Sequence, residues 1–202
     1  MIFHIRKASA EDAPFLAETI MKAIGAELCE NLGGGREYIP KVRRLFSELA
    51  AVTNTQYSFT NGLIAVDESG KYLGAVIAYE GSRLHELRTA FINKANELLG
   101  WNVTDEDAEN WEDETNEREV YIDSLYVVEE FRKHGIATAL INKVIDNFAP
   151  LKKPYGILVE PENSGARRLY EKLGFREDGI NRFCNVPMTH LTLKTTVQKE
   201  SE

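Results

Sequence analysis

One stretch of the sequence restricts the fold more than any other, because three patterned segments follow one another without a break. Residues 119–128 are rich in Val, Ile, Leu and Tyr, which favours a β-strand. Residues 129–135 then contain three basic side chains and a glycine. Apolar residues recur at helical spacing after that, at Ala137, Leu140, Ile141, Val144, Ile145 and Phe148. The pattern predicts a strand, a short loop and a helix in immediate succession.

The rest of the chain alternates between predicted helices and predicted strands. Strands are predicted at 3–7, 62–67, 72–79, 155–160, 182–184 and 188–193. Helices are predicted at about 10–29, around Val42, Leu45, Phe46 and Leu49, at 83–99, and at about 164–173, closed by Gly174. Ser9 and Asp12 have the spacing of a helix capping box. Interleaved helices and short turns between strands indicate a mixed α/β fold. We expect one domain over residues 1–195, with an insertion at about 81–119 and a frayed tail at 196–202.

Composition excludes several classes of protein. No apolar run approaches the ~20 residues that cross a bilayer, and the first residues are too short and polar for a signal peptide. Two cysteines cannot form a disulfide framework, so we expect a cytoplasmic protein. Residues 105–119 carry nine acids and one arginine, and the remainder of the chain is electrically neutral. Without a basic stripe, nucleic acid is not an expected partner, nor is a membrane.

The basic loop has the chemistry of an anion site. A helix N-terminus presents unpaired N–H groups and partial positive charge, and Arg132, Lys133 and His134 add side-chain charge there. Gly135 permits a close approach of backbone to ligand. The alternative is an ordinary strand-to-helix connection, and the loop alone does not decide between the two. It is neither a Walker A loop nor a Gly-x-Gly-x-x-Gly fingerprint.

Two sequence blocks together resemble the acyl-CoA signature of the GNAT superfamily of N-acetyltransferases. The first is Leu125-x-Val127 followed by Arg132-x-x-Gly135-x-Ala137. The second is Asn163-x-x-Ala166-x-x-x-Tyr170-x-Lys172-x-Gly174-Phe175. The resemblance implies an acyl-CoA N-acyltransferase-like fold, with a mostly antiparallel central sheet flanked by helices. It also implies an enzyme that moves an acetyl group from acetyl-CoA to an amine.

The resemblance implies a role for each matched residue. The backbone of the Leu125-Tyr126-Val127 segment would hold the acyl-pantetheine arm like an added strand. The CoA pyrophosphate would bind the N–H groups of Arg132, Lys133, His134, Gly135, Ile136, Ala137 and Thr138. Asn163 would contact the arm or cap the following helix. Tyr170 would protonate the departing thiolate, the alternative being an aromatic core residue.

Acetylation also requires a deprotonated amine, and at neutral pH this costs about 4 kcal/mol for a lysine-like group. Asp123 is the leading candidate base, because a carboxylate inside an apolar strand is costly unless it is used or paired. It lies two residues before Leu125 and thus on the same strand face. Glu80 and Glu119 are weaker candidates, for which a surface or strand-edge position is favoured.

The acidic segment 105–119 has two interpretations. It is either a lip that attracts a cationic acceptor or an ordinary solvated loop, and charge patterning favours the loop. The four histidines lack metal-ligand spacing, so no metal is predicted. Two other functions stay open: a non-catalytic acyl-CoA sensor, and an interaction module that uses the acidic segment. The acceptor amine and the acyl-chain length are not defined by the sequence, and a homodimer is suggested by analogy only.

Overall fold

The computed structural model describes residues 1–184 and 186–194, which form seven strands and seven α-helices. The strands are β1 (Phe3–Lys7), β2 (Gly62–Asp67), β3 (Tyr72–Glu80), β4 (Val120–Val127), β5 (Tyr155–Val159), β6 (Arg176–Phe183) and β7 (Val186–Leu193). The helices are α1 (Ala13–Ile24), α2 (Ala26–Gly33), α3 (Ile39–Ala50), α4 (Leu84–Leu99), α5 (Asp105–Glu109), α6 (Ile136–Phe148) and α7 (Ser164–Lys172). The tail predicted at 196–202 lies outside the described residues.

All seven strands belong to one sheet in the order β1-β2-β3-β4-β5-β7-β6 within the described ranges. Neighbouring strands are antiparallel except for β4 and β5, which run parallel. The expected mixed α/β fold with a mostly antiparallel sheet is therefore confirmed. The parallel pair places the end of β4 beside the end of β5, and the loops that follow both strands meet there.

Alternating side chains of the inner strands supply two separate cores. In β2, Leu63 and Ala65 pack with α6 and α7, whereas Ile64 and Val66 pack with α1, α3 and α4. Each core therefore covers one face of the sheet. No helix within the described ranges combines the length and apolarity needed to cross a bilayer.

The long helix predicted at about 10–29 is divided in the structure. A short 3-10 turn at Ala10–Asp12 leads into α1, and Gly25 separates α1 from α2. Gly25 has φ of +84°, a conformation that a residue with a Cβ adopts only with strain. The apolar spacing continues across the break, which is why periodicity alone predicted one helix.

The capping box predicted at Ser9 and Asp12 is present and forms part of a larger cluster. The Asp12 carboxylate accepts two hydrogen bonds from the Arg6 guanidinium at 2.7 Å, one from the Ser9 N–H and one from the Tyr72 hydroxyl at 2.9 Å. The bonds from Arg6 hold the pKa of Asp12 well below its usual range. This buried carboxylate joins β1, the start of α1 and β3.

The prediction for the sixth strand was wrong in its extent. Only 182–184 was expected, whereas β6 begins at Arg176 and ends at Phe183, and Cys184 lies in the following turn with φ of +50°. As the outermost strand, β6 is largely exposed and is built from polar residues and glycine. It therefore lacks the apolar alternation by which half-buried strands are identified.

Residues 81–119 connect the adjacent strands β3 and β4 and contain α4 and α5. The expectation of a solvated acidic loop is correct for seven of the nine acids in 105–119 and wrong for Glu114 and Glu119, which are buried. Glu114 pairs with buried Arg88 of α4. Glu119 lies 3.1 Å from the Nε2 atom of His190 on β7. The acidic residues 105–119 are thus held against α4 by Glu114 and against β7 by Glu119.

The two ends of the segment 81–119 meet at Gly81, and this contact can be tested by mutation. Its N–H donates to the Glu119 carbonyl at 2.9 Å, and a Cβ there would overlap the backbone carbonyl of Asn116. We expect Gly81→Ala to lower the free energy of unfolding by about 1–3 kcal/mol, because backbone must move. Gly165→Ala is the matched control, since its Cβ lies within a helix and makes only an ordinary contact with Asn163 Oδ1 at 3.8 Å. This substitution is expected to raise the free energy of unfolding by about 0.5–1 kcal/mol.

Chemical denaturation of the two variants and the parent protein measures both effects. Equal stability of the Gly81→Ala variant and the parent would contradict the close contact at Asn116.

Candidate active site

The sheet opens between β4 and β5. The two strands pair at only three positions, from Val120 with Tyr155 to Ile122 with Ile157, and then separate. Residues 123–127 therefore have β3 on one edge and no strand on the other. The gap widens into a cleft of about 780 Å³ that extends to the start of α6 and along α7. A cleft of this size accommodates an extended organic ligand.

An irregularity in β4 places a carboxylate at the point where the strands separate. Ile77 of β3 pairs with Ser124, but the next residue, Ala78, pairs with Ile122. Asp123 is thus the extra residue of a β-bulge. Bulges change the direction of a side chain and are frequent beside active sites. Here the bulged residue lines the cleft.

Asp123 is surrounded by polar groups that hold its carboxylate in place. The Tyr79 hydroxyl donates to Oδ2 at 2.9 Å, and the Ser124 hydroxyl donates to Oδ1 at 2.8 Å. Burial, together with the nearby charge of Glu114, raises the pKa of Asp123 to about 7. Hydrogen bonds from Ser124, Tyr79 and Gln56 oppose that rise. The carboxyl group therefore titrates near neutral pH, as a general base requires.

Two of the last three residues in the loop between β4 and α6 have left-handed backbone. Lys133 has φ of +64° and Gly135 has φ of +81°, and α6 begins at the next residue. Nothing lies within 4 Å of a Cβ built on Gly135, so the glycine is required for its backbone conformation. The first-turn N–H groups, including those of Ile136, Ala137 and Thr138, lack intrahelical acceptors and face the cleft end of the helix. Together they form a site suited to phosphate oxygens.

Two residues of the basic loop differ in geometry from the arrangement that the resemblance implied. The N–H of Arg132 already donates to the Glu129 carbonyl at 3.2 Å, while its side-chain Nε donates to the Val127 carbonyl at 3.3 Å. His134 has its Nδ1 atom 2.9 Å from the Arg132 carbonyl and does not line the cleft. Arg132 and Lys133 nevertheless both line the cleft.

Helix α7 forms the opposite wall. The Asn163 side chain accepts a hydrogen bond from the Ala166 N–H at 3.1 Å and so caps the helix, while it also lines the cleft. Tyr170, two turns later, is 6% exposed and packs against Phe175 with ring centroids 6.0 Å apart. Burial raises the pKa of the Tyr170 hydroxyl above its ordinary value, which keeps the group protonated.

The fold brings together nearly all of the site residues identified from the sequence. Apart from His134, all of them line the cleft: Asp123, Leu125, Tyr126, Val127, Arg132, Lys133, Gly135, Ile136, Ala137, Thr138, Asn163 and Tyr170. The two weaker candidate bases lie elsewhere. Glu80 forms an ion pair with Lys153 at 3.0 Å, and Glu119 is buried beside His190. Within the described ranges, no group of three or more His, Cys, Asp or Glu side chains is arranged to hold a metal.

Sequence reasoning missed the residues that surround Asp123 from other parts of the chain. The position of Tyr79 could have been inferred from the sequence, because this polar aromatic residue ends a predicted apolar strand, and that strand pairs with the one that contains Asp123. No sequence pattern indicated Gln56 or Glu114 as neighbours of Asp123. Gln56 lies in an irregular segment, and Glu114 lies in the acidic segment 105–119. Both are buried, at 2% and 5% exposure, and both interact with Asp123.

Comparisons with known proteins identify the fold and the family. A 73-residue segment is 40% identical to an uncharacterized N-acetyltransferase of Methanocaldococcus jannaschii, and it spans 35% of this chain and 32% of that relative. An N-acetyltransferase from Staphylococcus aureus Mu50 has the same fold, with a TM-score of 0.72, 20% identity, and coverage of 94% of this chain and 100% of that one.

The aminoglycoside acetyltransferase AAC(6')-Ib in complex with coenzyme A shares the fold at a TM-score of 0.60, with 18% identity over 99% of each chain. The model of the acetyltransferase (GNAT) family matches residues 44–175, which contain β4, the basic loop, α6 and α7. The match covers more than half of the sequence and includes every residue that lines the cleft from β4 to Tyr170. The chain therefore belongs to the GNAT acetyltransferase family.

Proposed function

We propose that this chain is an acetyl-CoA-dependent N-acetyltransferase that acts on a primary amine of a small molecule or peptide by direct attack. One observation carries the proposal: Asp123, whose pKa is about 7, and the protonated Tyr170 line the same cleft from opposite sides. Amine acetylation requires a base for the nucleophile and an acid for the leaving thiolate. The cleft supplies one group suited to each task.

The residues present fit acetyl-CoA as the acetyl donor. The first turn of α6 offers N–H groups to the pyrophosphate, and Arg132 and Lys133 add positive charge at the same place. The unpaired edge of β4 at Leu125 and Val127 suits the extended pantetheine arm, whose amides hydrogen bond as a strand would. Bound there, acetyl-CoA supplies a thioester carbonyl to the region between Asp123 and Tyr170.

In the proposed mechanism Asp123 accepts the proton that the acceptor ammonium must lose. A carboxylate with a pKa near 7 is ionised in a large fraction of molecules at neutral pH. The amine nitrogen forms a bond to the carbonyl carbon, and a backbone N–H of β4 near Leu125 donates to the carbonyl oxygen as negative charge develops on it. The carbon–sulfur bond then breaks, and the Tyr170 hydroxyl donates its proton to the thiolate. The new amide nitrogen loses its second proton, which restores the Tyr170 hydroxyl.

The domain organisation expected from the sequence is part of the same proposal. We assign residues 1–195 to one acetyltransferase domain, with 81–119 as its insertion. The boundary at 195 lies outside the described residues.

The role of Tyr170 is tested by Tyr170→Phe. We expect kcat to fall by about 100-fold or more, because a positioned general acid is lost while the ring is kept. Acetyl-CoA should still raise the thermal midpoint of the variant as it does that of the parent protein, since the phosphate site is intact. Steady-state assays of thiol release and thermal unfolding measure the two effects.

Tyr155→Phe is the matched control for Tyr170→Phe. It removes another buried hydroxyl, one that donates to the Ile145 carbonyl at 2.9 Å, away from the cleft. Its expected effect is a modest loss of stability with kcat unchanged. Unchanged kcat in Tyr170→Phe would remove this residue from the acid role.

The role of Asp123 predicts a pH dependence. Because Asp123 must be ionised, kcat/KM of the parent protein should fall about tenfold per pH unit below pH 7, relative to Asp123→Asn. The ionisation of the amine affects both proteins equally and cancels in this ratio. Glu80→Gln, in which another candidate base is replaced, should retain the parent profile.

The same pKa makes a prediction for stability. Asp123 has a higher pKa in the folded state than in the unfolded state, so its protonation stabilises the folded state. This contribution to the free energy of unfolding is lost as the pH rises through about 7. Asp123→Asn should therefore be more stable than the parent protein at pH 8 while being less active. A variant that lost both stability and activity at pH 8 would indicate a structural role only.

A further inference from the structure

A second cavity of about 590 Å³ lies on the other side of Asp123, beneath the insertion. Its walls come from α2, α4, the segment 110–114 and the turn between β6 and β7. We call it the aromatic cavity, after Tyr57, Phe91, Trp101, Trp111 and Phe183, which line it. Two of its other lining residues, Gln56 and Glu114, interact with Asp123, so the cavity adjoins the cleft at the proposed base.

The aromatic wall is held in place before any ligand binds. Phe91 and Trp101 meet edge to face, with centroids 5.7 Å apart, and Trp101 meets Trp111 in the same way at 6.3 Å. The Trp101 indole N–H donates to the Leu32 carbonyl at 3.1 Å, which fixes that ring. Fixed rings offer flat apolar surface to a ligand at little cost in conformational entropy.

The charges that line the cavity cancel. Arg88 is paired with Glu114, and the Nε atom of Arg182 lies 3.4 Å from the Glu112 carboxylate. No uncompensated row of carboxylates is present on the described part of the cavity wall to receive several positive charges. The exposed acids at the start of the acidic segment, such as Glu106 and Glu109, lie outside the cavity. This arrangement does not suit a polycation.

One buried polar atom at the inner end of the cavity lacks a partner. The Gln56 side-chain N–H donates to Glu114 at 3.4 Å, which leaves Oε1 as the acceptor, and Oε1 has no hydrogen bond within the described ranges. A buried carbonyl oxygen without a partner costs about 1–3 kcal/mol unless a ligand or water satisfies it. Next to Asp123, an ammonium group would supply the missing donor.

We propose that the aromatic cavity binds the acceptor substrate, and that this acceptor is a primary amine with a single positive charge carried on a flat aromatic body. The ring lies against Trp101 and Trp111, and the amine reaches Gln56 Oε1 and Asp123. This inference rests on the proposed function, to which it adds the class of acceptor. Under this proposal, the acidic segment 105–119 does not attract a polycationic acceptor.

The chain provides its own probe for this cavity, because both of its tryptophans line it. Titration of the full chain with phenethylamine should change the tryptophan fluorescence saturably, whereas spermidine at the same ionic strength should not. This readout does not depend on turnover. Thiol release from acetyl-CoA is then measured with the same two amines, and we expect kcat/KM for phenethylamine to exceed that for spermidine at least tenfold.

The two readouts separate the two proposals. Fluorescence change and turnover with phenethylamine support both, whereas fluorescence change without turnover supports the cavity and contradicts the acetyltransferase proposal. Preferential turnover of spermidine supports the enzyme and overturns the aromatic acceptor. Absence of both signals overturns both proposals.

Two variants test the aromatic wall directly. Trp111→Ala should raise KM for phenethylamine about tenfold without a change in KM for acetyl-CoA, and Trp111→Phe should restore most of the affinity. The double variant Glu106→Gln with Glu109→Gln is the charge control, and its KM for both amines should equal that of the parent protein. Thermal unfolding confirms that each variant is folded. Equal KM values in Trp111→Ala and the parent protein would contradict the proposed site.

Discussion

The site depends on two parallel strands that pair for three residues and then separate. An unpaired strand edge within a sheet leaves backbone donors and acceptors without partners, which is unfavourable unless water or a ligand satisfies them. In this chain the edge from Asp123 to Val127 is left open, and side chains from both sides of the gap converge on it. Asp123 comes from β4 and Tyr170 from α7, the helix that follows β5. The separation of the strands thus creates the open edge of β4 and the cleft that Asp123 and Tyr170 both line, and the proposed mechanism uses both features.

The parts of the structure that were predictable from sequence are those coded by local patterns. The alternation and composition of 119–128 identified β4, and a glycine next to basic residues identified the start of α6. Asp123 was noticed because a carboxylate is costly in an apolar strand, which is a local signal as well. The bulge at Asp123 was not predictable, because it is defined by the pairing of Ile77 and Ala78 with residues more than forty positions away.

The remaining features could not be inferred because they depend on contacts between distant segments. The pKa of Asp123 is shaped by Glu114 and Gln56, which meet it only in the folded chain. A run of acids looks uniformly solvated in sequence, yet Glu114 is buried because Arg88 on a different helix compensates its charge. The length of the outer strand β6 was underestimated because of its exposure. Its exposed edge position permits the polar residues that conceal a strand from pattern analysis.

The geometry of the insertion has a consequence for how such an enzyme diversifies. The N–H of its first residue, Gly81, donates a hydrogen bond to the carbonyl of its last residue, Glu119, so the two ends of a segment of nearly forty residues lie side by side. Because the entropic cost of closing a loop grows only slowly with its length, segments anchored in this way tolerate changes in length and content. The segment 81–119 contributes six aromatic or charged residues to the lining of the aromatic cavity, which are Arg88, Phe91, Trp101, Trp111, Glu112 and Glu114. It contributes none of the described lining of the cleft between β4 and β5. With the aromatic cavity as the proposed acceptor site, a segment that tolerates such changes would determine the acceptor, while the cleft beside α6 stays constant.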